Sequence, residues 1–196
     1  MGVSRQQAAD NRNAIVAAAE RLFRVRGVDA VGLTELMKEA GFTQGGFYNH
    51  FKSKDALVAA VMDKAMQDRA DSPNAGSVAK QVAVYLSGAH RDNVEAGCPL
   101  SGFAGDAPRL TDAARACYTH GVAAYLDRLE RMVATESSAA TDARGDAIAV
   151  FSQMVGALVL SRAVAGTDPA LADEILDAAR RTLVAQPDPD DPAVPA

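Results

Sequence analysis

Gln44, Tyr48, Asn49 and His50 place four polar side chains on one short segment between the aromatic residues Phe42, Phe47 and Phe51. Glutamine and asparagine carboxamides carry donors and an acceptor, the groups that read base edges in a DNA groove. A tyrosine ring can pack while its hydroxyl reaches a phosphate; a partly buried core role is the other reading of Tyr48. Directly upstream stands Gly41-Phe42-Thr43, in which the glycine permits a tight reversal. Val31, Leu36, Met37, Phe42, Phe47 and Phe51 are available to lock the flanking segments together. Two short helices locked across a glycine turn are a helix-turn-helix pattern, whose second helix presents its N-terminal residues to the major groove. Free backbone N–H groups at that end suit a phosphate. Gly45-Gly46 should weaken such a helix by roughly 1 kcal/mol each relative to alanine. Without Cβ atoms the helix can lie close against a duplex; a loose turn is the alternative.

The elements that must position this segment read as helices throughout. Ile15, Ala18, Ala19, Leu22 and Phe23 form one amphipathic stripe, ended by Gly27 after Arg24 and Arg26. Thr34 is expected to cap a short helix carrying Leu36 and Met37, and Thr43 a second one from Gln44 to His50. Ser53 opens the next helix, with Leu57, Ala60 and Val61 on its apolar face. Asp71-Ser72-Pro73-Asn74-Ala75-Gly76 is turn-rich. Val78 to Ala89 reads as one helix, Gly97-Cys98-Pro99 as a break, and Leu110-Thr111-Asp112 as a loop with a cap, followed by a long helix to about Ala134. Ser137 to Gly145 reads as a loop. Ala147 to Ala165 is apolar nearly all round, and Thr167-Asp168-Pro169 starts a last helix with Leu171, Ile175, Ala179 and Leu183. Arg5 and Arg12 fall in a segment read as a disordered tail, with a flexible arm near DNA as the other reading. The expected fold is all-α: a helix-turn-helix head over residues 1–52, a helical body over 53–186 and a disordered tail over 187–196.

Composition limits the chemistry. Residues 1–70 hold ten Lys/Arg against eight Asp/Glu, and the remainder ten against seventeen, within a net charge of −5. An anionic partner is therefore expected at the head only. Cys98 and Cys117 cannot make a disulfide framework, and no Cys/His spacing suggests a metal site. No HExxH, nucleophile motif or phosphate loop is present, and His50 has no acid or nucleophile partner at matched spacing, so neither enzyme activity nor a cofactor is expected. Met1 to Arg12 lacks the apolar core of a signal peptide. The run Ala147 to Leu160 is 14 residues with Ser152 and Gln153 inside, too short to span a bilayer, so a cytoplasmic protein with no membrane partner is expected.

The run from Ala40-Gly41-Phe42-Thr43-Gln44-Gly45-Gly46-Phe47-Tyr48-Asn49-His50-Phe51 through Lys52-Ser53-Lys54-Asp55-Ala56-Leu57 resembles the signature of the TetR family of bacterial transcriptional regulators. Ile15-x6-Leu22-Phe23-x3-Gly27 and Thr34-x-Leu36-Met37 resemble that family's first two helices. The resemblance implies an all-helical homodimer that binds a palindromic double-stranded DNA operator, usually as a repressor, and is released by a small-molecule effector. It implies that Thr43, Gln44, Gly45, Gly46 and Asn49 face bases or nearby phosphates. Tyr48, His50 and Lys54 match phosphate-contacting positions, and Thr34 would touch a phosphate. Phe47 and Phe51 match core aromatics.

Further along, Gly97-Cys98-Pro99-Leu100, Arg109, Val155-Gly156-Ala157-Leu158-x2-Ser161-Arg162 and Ile175-Leu176-x2-Ala179-Arg180 are similar to a branch of that family that represses drug-efflux or flavonoid-responsive genes. This implies a small, mostly apolar effector. Phe103, Cys117, Tyr118, Gly121, Tyr125, Phe151 and Met154 are the candidate effector contacts, mostly apolar with a few polar handles; the stripe Tyr118, Gly121, Val122, Tyr125 fits plain core as well. The two final helices would pair across a two-fold axis into a four-helix bundle. Phe151, Val155, Leu158, Val159, Arg162, Ile175, Leu176 and Leu183 are the expected interface, with the chain's own core expected to take some of them.

Overall fold

The computed structural model describes residues 4–71, 76–136 and 142–184, and among these all regular structure is helical, with no strand. The expected tail at 187–196, most of the turn-rich stretch near Pro73 and the first part of the loop after Ser137 lie outside the described residues. Among the described residues, nine α-helices run in chain order: α1 Arg5–Arg26, α2 Leu33–Glu39, α3 Lys54–Asp71, α4 Val78–Tyr85, α5 Gly88–Asp92, α6 Pro99–Gly102, α7 Asp112–Glu136, α8 Ala143–Val164 and α9 Pro169–Val184. Two 3₁₀ segments, Gln44–Asn49 and Ala107–Arg109, stand between them.

By packing, the described residues within Met1–Ser72 and Val94–Val122 form one compact unit, and those within Pro73–Asn93 and Ala123–Ala196 a second. In the first, the α1 stripe buries Ile15, Val16, Ala18, Ala19 and Phe23. The Ser4 hydroxyl accepts from the Gln7 N–H at 3.1 Å, so the helix starts before both Arg5 and Arg12; these residues are helical, not a disordered tail. Gly27 ends it at φ 82°, a conformation that favours glycine. Leu36 and Met37 of α2, Phe47 of the 3₁₀ segment and Leu57, Val61 and Met62 of α3 complete the interior.

Segment 94–122 packs into the same unit. Arg24 of α1 pairs with Glu20 and donates to the Gly97 carbonyl, and its guanidinium lies 5.7 Å from the Phe103 ring centre. Asp106 accepts from Arg109 at 3.0 Å, and Arg109 also faces Asp29 at 3.6 Å.

The second unit is built on α8 and α9, joined by a short turn. The Ser161 hydroxyl donates to the Ala172 carbonyl at 2.8 Å inside it. Asp168 caps α9 by accepting from the Leu171 N–H at 3.0 Å, as its Thr-Asp-Pro start predicts. Arg162 of α8 donates to the carbonyls of Arg91 and His90 at 3.0 and 2.8 Å, fastening α5.

Three expectations about elements need correction. Val78 to Ala89 is two helices, because the Ser87 hydroxyl accepts from the His90 N–H at 3.2 Å and starts a new turn at Gly88. α8 begins at Ala143, where Asp142 caps Gly145 at 2.8 Å, earlier than the loop reading allows. At 22 residues α8 is also long and apolar enough to cross a membrane by length and composition, so the short-run argument does not hold. Ala147, Val150, Phe151, Met154, Ala157, Leu158 and Ser161 are buried inside the protein along one side, and 39% of the apolar window is buried.

Candidate nucleic-acid interface

The wedge is built around a turn of four close hydrogen bonds. Ala40 N–H donates to Leu36 at 3.0 Å, Gly41 N–H to Lys38 at 3.0 Å, Phe42 N–H to Met37 at 2.8 Å and Gly46 N–H to Thr43 at 3.0 Å. Gly41 sits at φ 82°, so the reversal needs glycine there. Leu36, Met37 and Phe47 are fully buried across the turn, and Phe51 stacks on Phe47 with ring centres 5.8 Å apart. The second segment is a 3₁₀ helix over Gln44–Asn49, not the expected helix to His50. Six residues that include two glycines propagate an α-helix poorly, and the tighter form is common in such short pieces.

Burial of Phe47 turns Gln44, Tyr48 and Asn49 outward, and all three are exposed. Tyr48 is 68% exposed, with its ring edge-on to Phe47 at 5.3 Å, so the core reading of this residue is set aside. Thr43 and Gly45 are exposed too, and a Cβ at Gly45 would meet nothing within 4 Å. At Gly46 it would make ordinary contact, 3.9 Å from Met37 and from the Thr43 hydroxyl. The head's own packing therefore does not demand these two glycines. His50 is half-buried, its ring 6.4 Å from that of Phe42. The Lys54 ammonium donates to the Val28 carbonyl at 2.7 Å and keeps two N–H donors for another partner.

Two residues stand differently from the sequence reading. Gly32, not Thr34, caps α2, and Thr34 lies inside the first turn. Its hydroxyl donates to Gln44 Oε1 at 2.8 Å. Arg12, read as tail, lies with its guanidinium 4.3 Å from the centre of the Phe51 ring, which adds an exposed cation beside the wedge. The signal for it is available in Ser4 and in the i,i+4 pairs Gln6–Asp10 and Gln7–Asn11, both at 2.9 Å.

The candidate effector contacts fall into two groups, one per unit. In the first unit, Phe103 is fully buried, and the Tyr118 hydroxyl donates to the Leu100 carbonyl at 2.6 Å. A Cβ on Gly121 would stand 2.2 Å from Met66 Sδ, so glycine here serves the close approach of α7 to α3. Burial, and after it the Asp63 carboxylate, pushes the Cys117 thiol above its usual range, which favours an inert thiol. In the second unit, the Tyr125 and Phe151 rings are 4.5 Å apart, Gln81 donates to the Tyr125 hydroxyl at 3.2 Å, and Met154 is fully buried. Among the described residues no group of three or more His, Cys, Asp or Glu could hold a metal ion.

Of the expected interface, Phe151, Leu158, Leu176 and Leu183 are buried within the unit itself. Arg162 is engaged by the two α5 carbonyls. Val155 and Ile175 are half-buried and Val159 is 41% exposed. The exposed apolar residues on these helices that sequence reasoning missed are Ile148 and Leu160 on α8 and Leu171 and Val184 on α9.

Residues 15–61 match the model of the bacterial regulatory proteins of the tetR family. The chain is 40% identical over 60 residues to the HTH-type transcriptional regulator TtgR of Pseudomonas putida, covering 31% of this chain and 29% of that protein. It is 39% identical over 62 residues to the HTH-type transcriptional repressor BepR of Brucella suis biovar 1, covering 32% and 30%. The matched stretch thus spans less than a third of these relatives' length. The crystal structure of reduced Escherichia coli NemR superposes with a TM-score of 0.71 at 19% identity, covering 89% of this chain and 95% of that one, a likeness of fold. The glycine turn on its buried apolar wedge and the outward polar face both lie within residues 15–61, the stretch that is similar to the tetR family of bacterial regulatory proteins.

Proposed function

We propose that the chain is a transcriptional regulator, acting as a repressor, that binds a palindromic operator as a homodimer in the cytoplasm and is released by a small, mostly apolar effector. The observation that carries this reading is the outward face of Gln44, Tyr48 and Asn49 on a fully buried Leu36–Met37–Phe47 base. Gln44 and Asn49 would select bases, with Thr43, Gly45 and Gly46 close to the groove. Tyr48, His50 and Lys54 would hold phosphates, joined by Arg12. The acidic remainder of the chain would disfavour any other docking.

Homodimerisation is supported by an apolar stripe on α8 and α9 that the described residues leave exposed or half-buried. Ile148, Val155, Val159 and Leu160, with Leu171 and Ile175, would meet their symmetry mates in a four-helix bundle. Candidate effector contacts are Phe103 and Tyr118 in the first unit or, taken by themselves, Tyr125, Phe151 and Met154 in the second. Release follows if the effector prefers a conformation whose two heads are wrongly spaced for the operator.

Selection from a random-sequence duplex library tests the reading. Wild-type protein should enrich an approximate palindrome with half-sites about one helical turn apart. Gln44→Ala should lose preference at the base it reads and Tyr48→Ala should weaken enrichment, both while keeping helical content. Failure of the wild-type chain to enrich any sequence would sink the proposal.

A further inference from the structure

We propose that Thr34 is a positioning residue for sequence readout: its hydroxyl orients the Gln44 carboxamide so that the Nε2 donors face the DNA and select a base edge bearing an acceptor. This rests on the DNA-binding reading above. Thr34 lies in the first turn of α2 and Gln44 opens the 3₁₀ helix, on opposite sides of the Gly41 turn. Both are exposed, and the turn brings Thr34 Oγ1 to 2.8 Å from Gln44 Oε1. A hydroxyl has one proton to donate. Given to Gln44, it is not available to a phosphate, so the two roles exclude one another.

The chemistry of the pair sets the readout. A free glutamine carboxamide turns over readily and offers either its carbonyl or its amino group to whatever lies opposite. With its carbonyl drawn toward α2, Gln44 presents N–H donors. Guanine N7 and O6, adenine N7 and thymine O4 accept such donors in the major groove, whereas cytosine offers the N4 donor. A fixed amide therefore disfavours cytosine at the contacted position. Reversing the amide would leave the Thr34 proton to find another acceptor once the duplex excludes water.

The test uses the full chain and the same random library, with wild type, Thr34→Val, Thr34→Ser and Gln44→Ala. The position at which Gln44→Ala loses preference identifies the base that Gln44 reads. The expected result is that wild type disfavours cytosine there. Thr34→Val, which keeps shape and β-branching, should lose about fivefold of that discrimination, the worth of one neutral hydrogen bond, and Thr34→Ser should keep it. Preferences elsewhere in the site should not move. The inference is overturned if Thr34→Val weakens all sequences by one factor with preference intact, which is the signature of a phosphate contact. It is overturned equally if wild type favours cytosine, or if Gln44→Ala changes no position. If wild type enriches no sequence at all, the DNA-binding reading falls and takes the inference with it.

Discussion

The Tyr118 hydroxyl, donating to the Leu100 carbonyl at 2.6 Å, shows how much a single side chain can do in this fold. Burial, with a smaller push from Cys98, raises its pKa to about 12, so it remains a neutral donor well into the alkaline range. Its value in the unfolded chain is about 10. The native state thus holds the proton more tightly. The corresponding stability is fully present below about pH 10 and is lost as pH rises through the folded value of about 12. Tyr118→Phe should cost about 1 kcal/mol at neutral pH in urea unfolding. Between about pH 10 and pH 12 the gap between wild type and variant should close, because only wild type has this proton to lose. A gap that stayed constant across that range would mean that the hydroxyl contributes no linked stability. Legibility at this scale follows sequence distance. The outward set Gln44, Tyr48 and Asn49 is readable because it shares one short segment with its glycine turn. The Thr34–Gln44 bond is not, since it joins two segments whose meeting depends on the turn's actual path. Arg24 reaching Gly97 across 73 residues has no local signal at all.

Helices are set here by glycines as much as by apolar stripes. Gly27 and Gly41 stop α1 and α2 through left-handed backbone, and both stops are readable because a single residue carries the cause. Gly121 acts differently. It lies inside α7, where alanine would be the better helix former by about 1 kcal/mol. Yet an added Cβ would stand 2.2 Å from Met66 Sδ and 2.7 Å from its Cγ on α3. Overpacking of that kind costs about 1–3 kcal/mol, so Gly121→Ala should be net destabilising despite its propensity. The double-mutant cycle isolates the cause. Met66→Ala alone opens a cavity, and with Gly121→Ala the combined loss should fall short of the sum of the single losses by at least about 0.5 kcal/mol. Strict additivity in urea unfolding would show that the two helices do not press on each other here. Sequence periodicity places Gly121 on an inward stripe with Tyr118 and Tyr125 but does not distinguish pocket from close packing. That distinction lies in Met66, on another helix. The same limit explains the missed break after Tyr85, where the Ser87 cap overrides a continuous apolar pattern.

For the whole molecule, the decisive matter is how the apolar stripe of α8 is covered. The helix is 22 residues, about 33 Å long. One side is filled by Met154, Leu158 and their neighbours, which the sequence identifies as apolar but not as inward or outward facing. That is why Phe151, Leu158, Leu176 and Leu183 read as interface in the sequence and stand instead in the core. The opposite side leaves Leu160 59% and Val159 41% exposed. Burying such side chains against a second copy gains about 25 cal/mol for each Å² removed from water, with no cost to the protomer's own interior. Leu160→Arg should therefore leave helical content and the unfolding midpoint of the isolated chain nearly unchanged, since the side chain already faces solvent. If the proposed dimer forms through this face, sedimentation should shift from dimer to monomer, because each guanidinium would be buried in an apolar seam. Leu158→Ala should show the converse: a loss of about 2–5 kcal/mol in protomer stability from the cavity it leaves, whatever happens to assembly. If Leu160→Arg remains dimeric with unaltered dissociation, the partner docks on another surface. The operator geometry would then have to be rebuilt from that surface, since the spacing of two heads is fixed only by the face that joins their bodies.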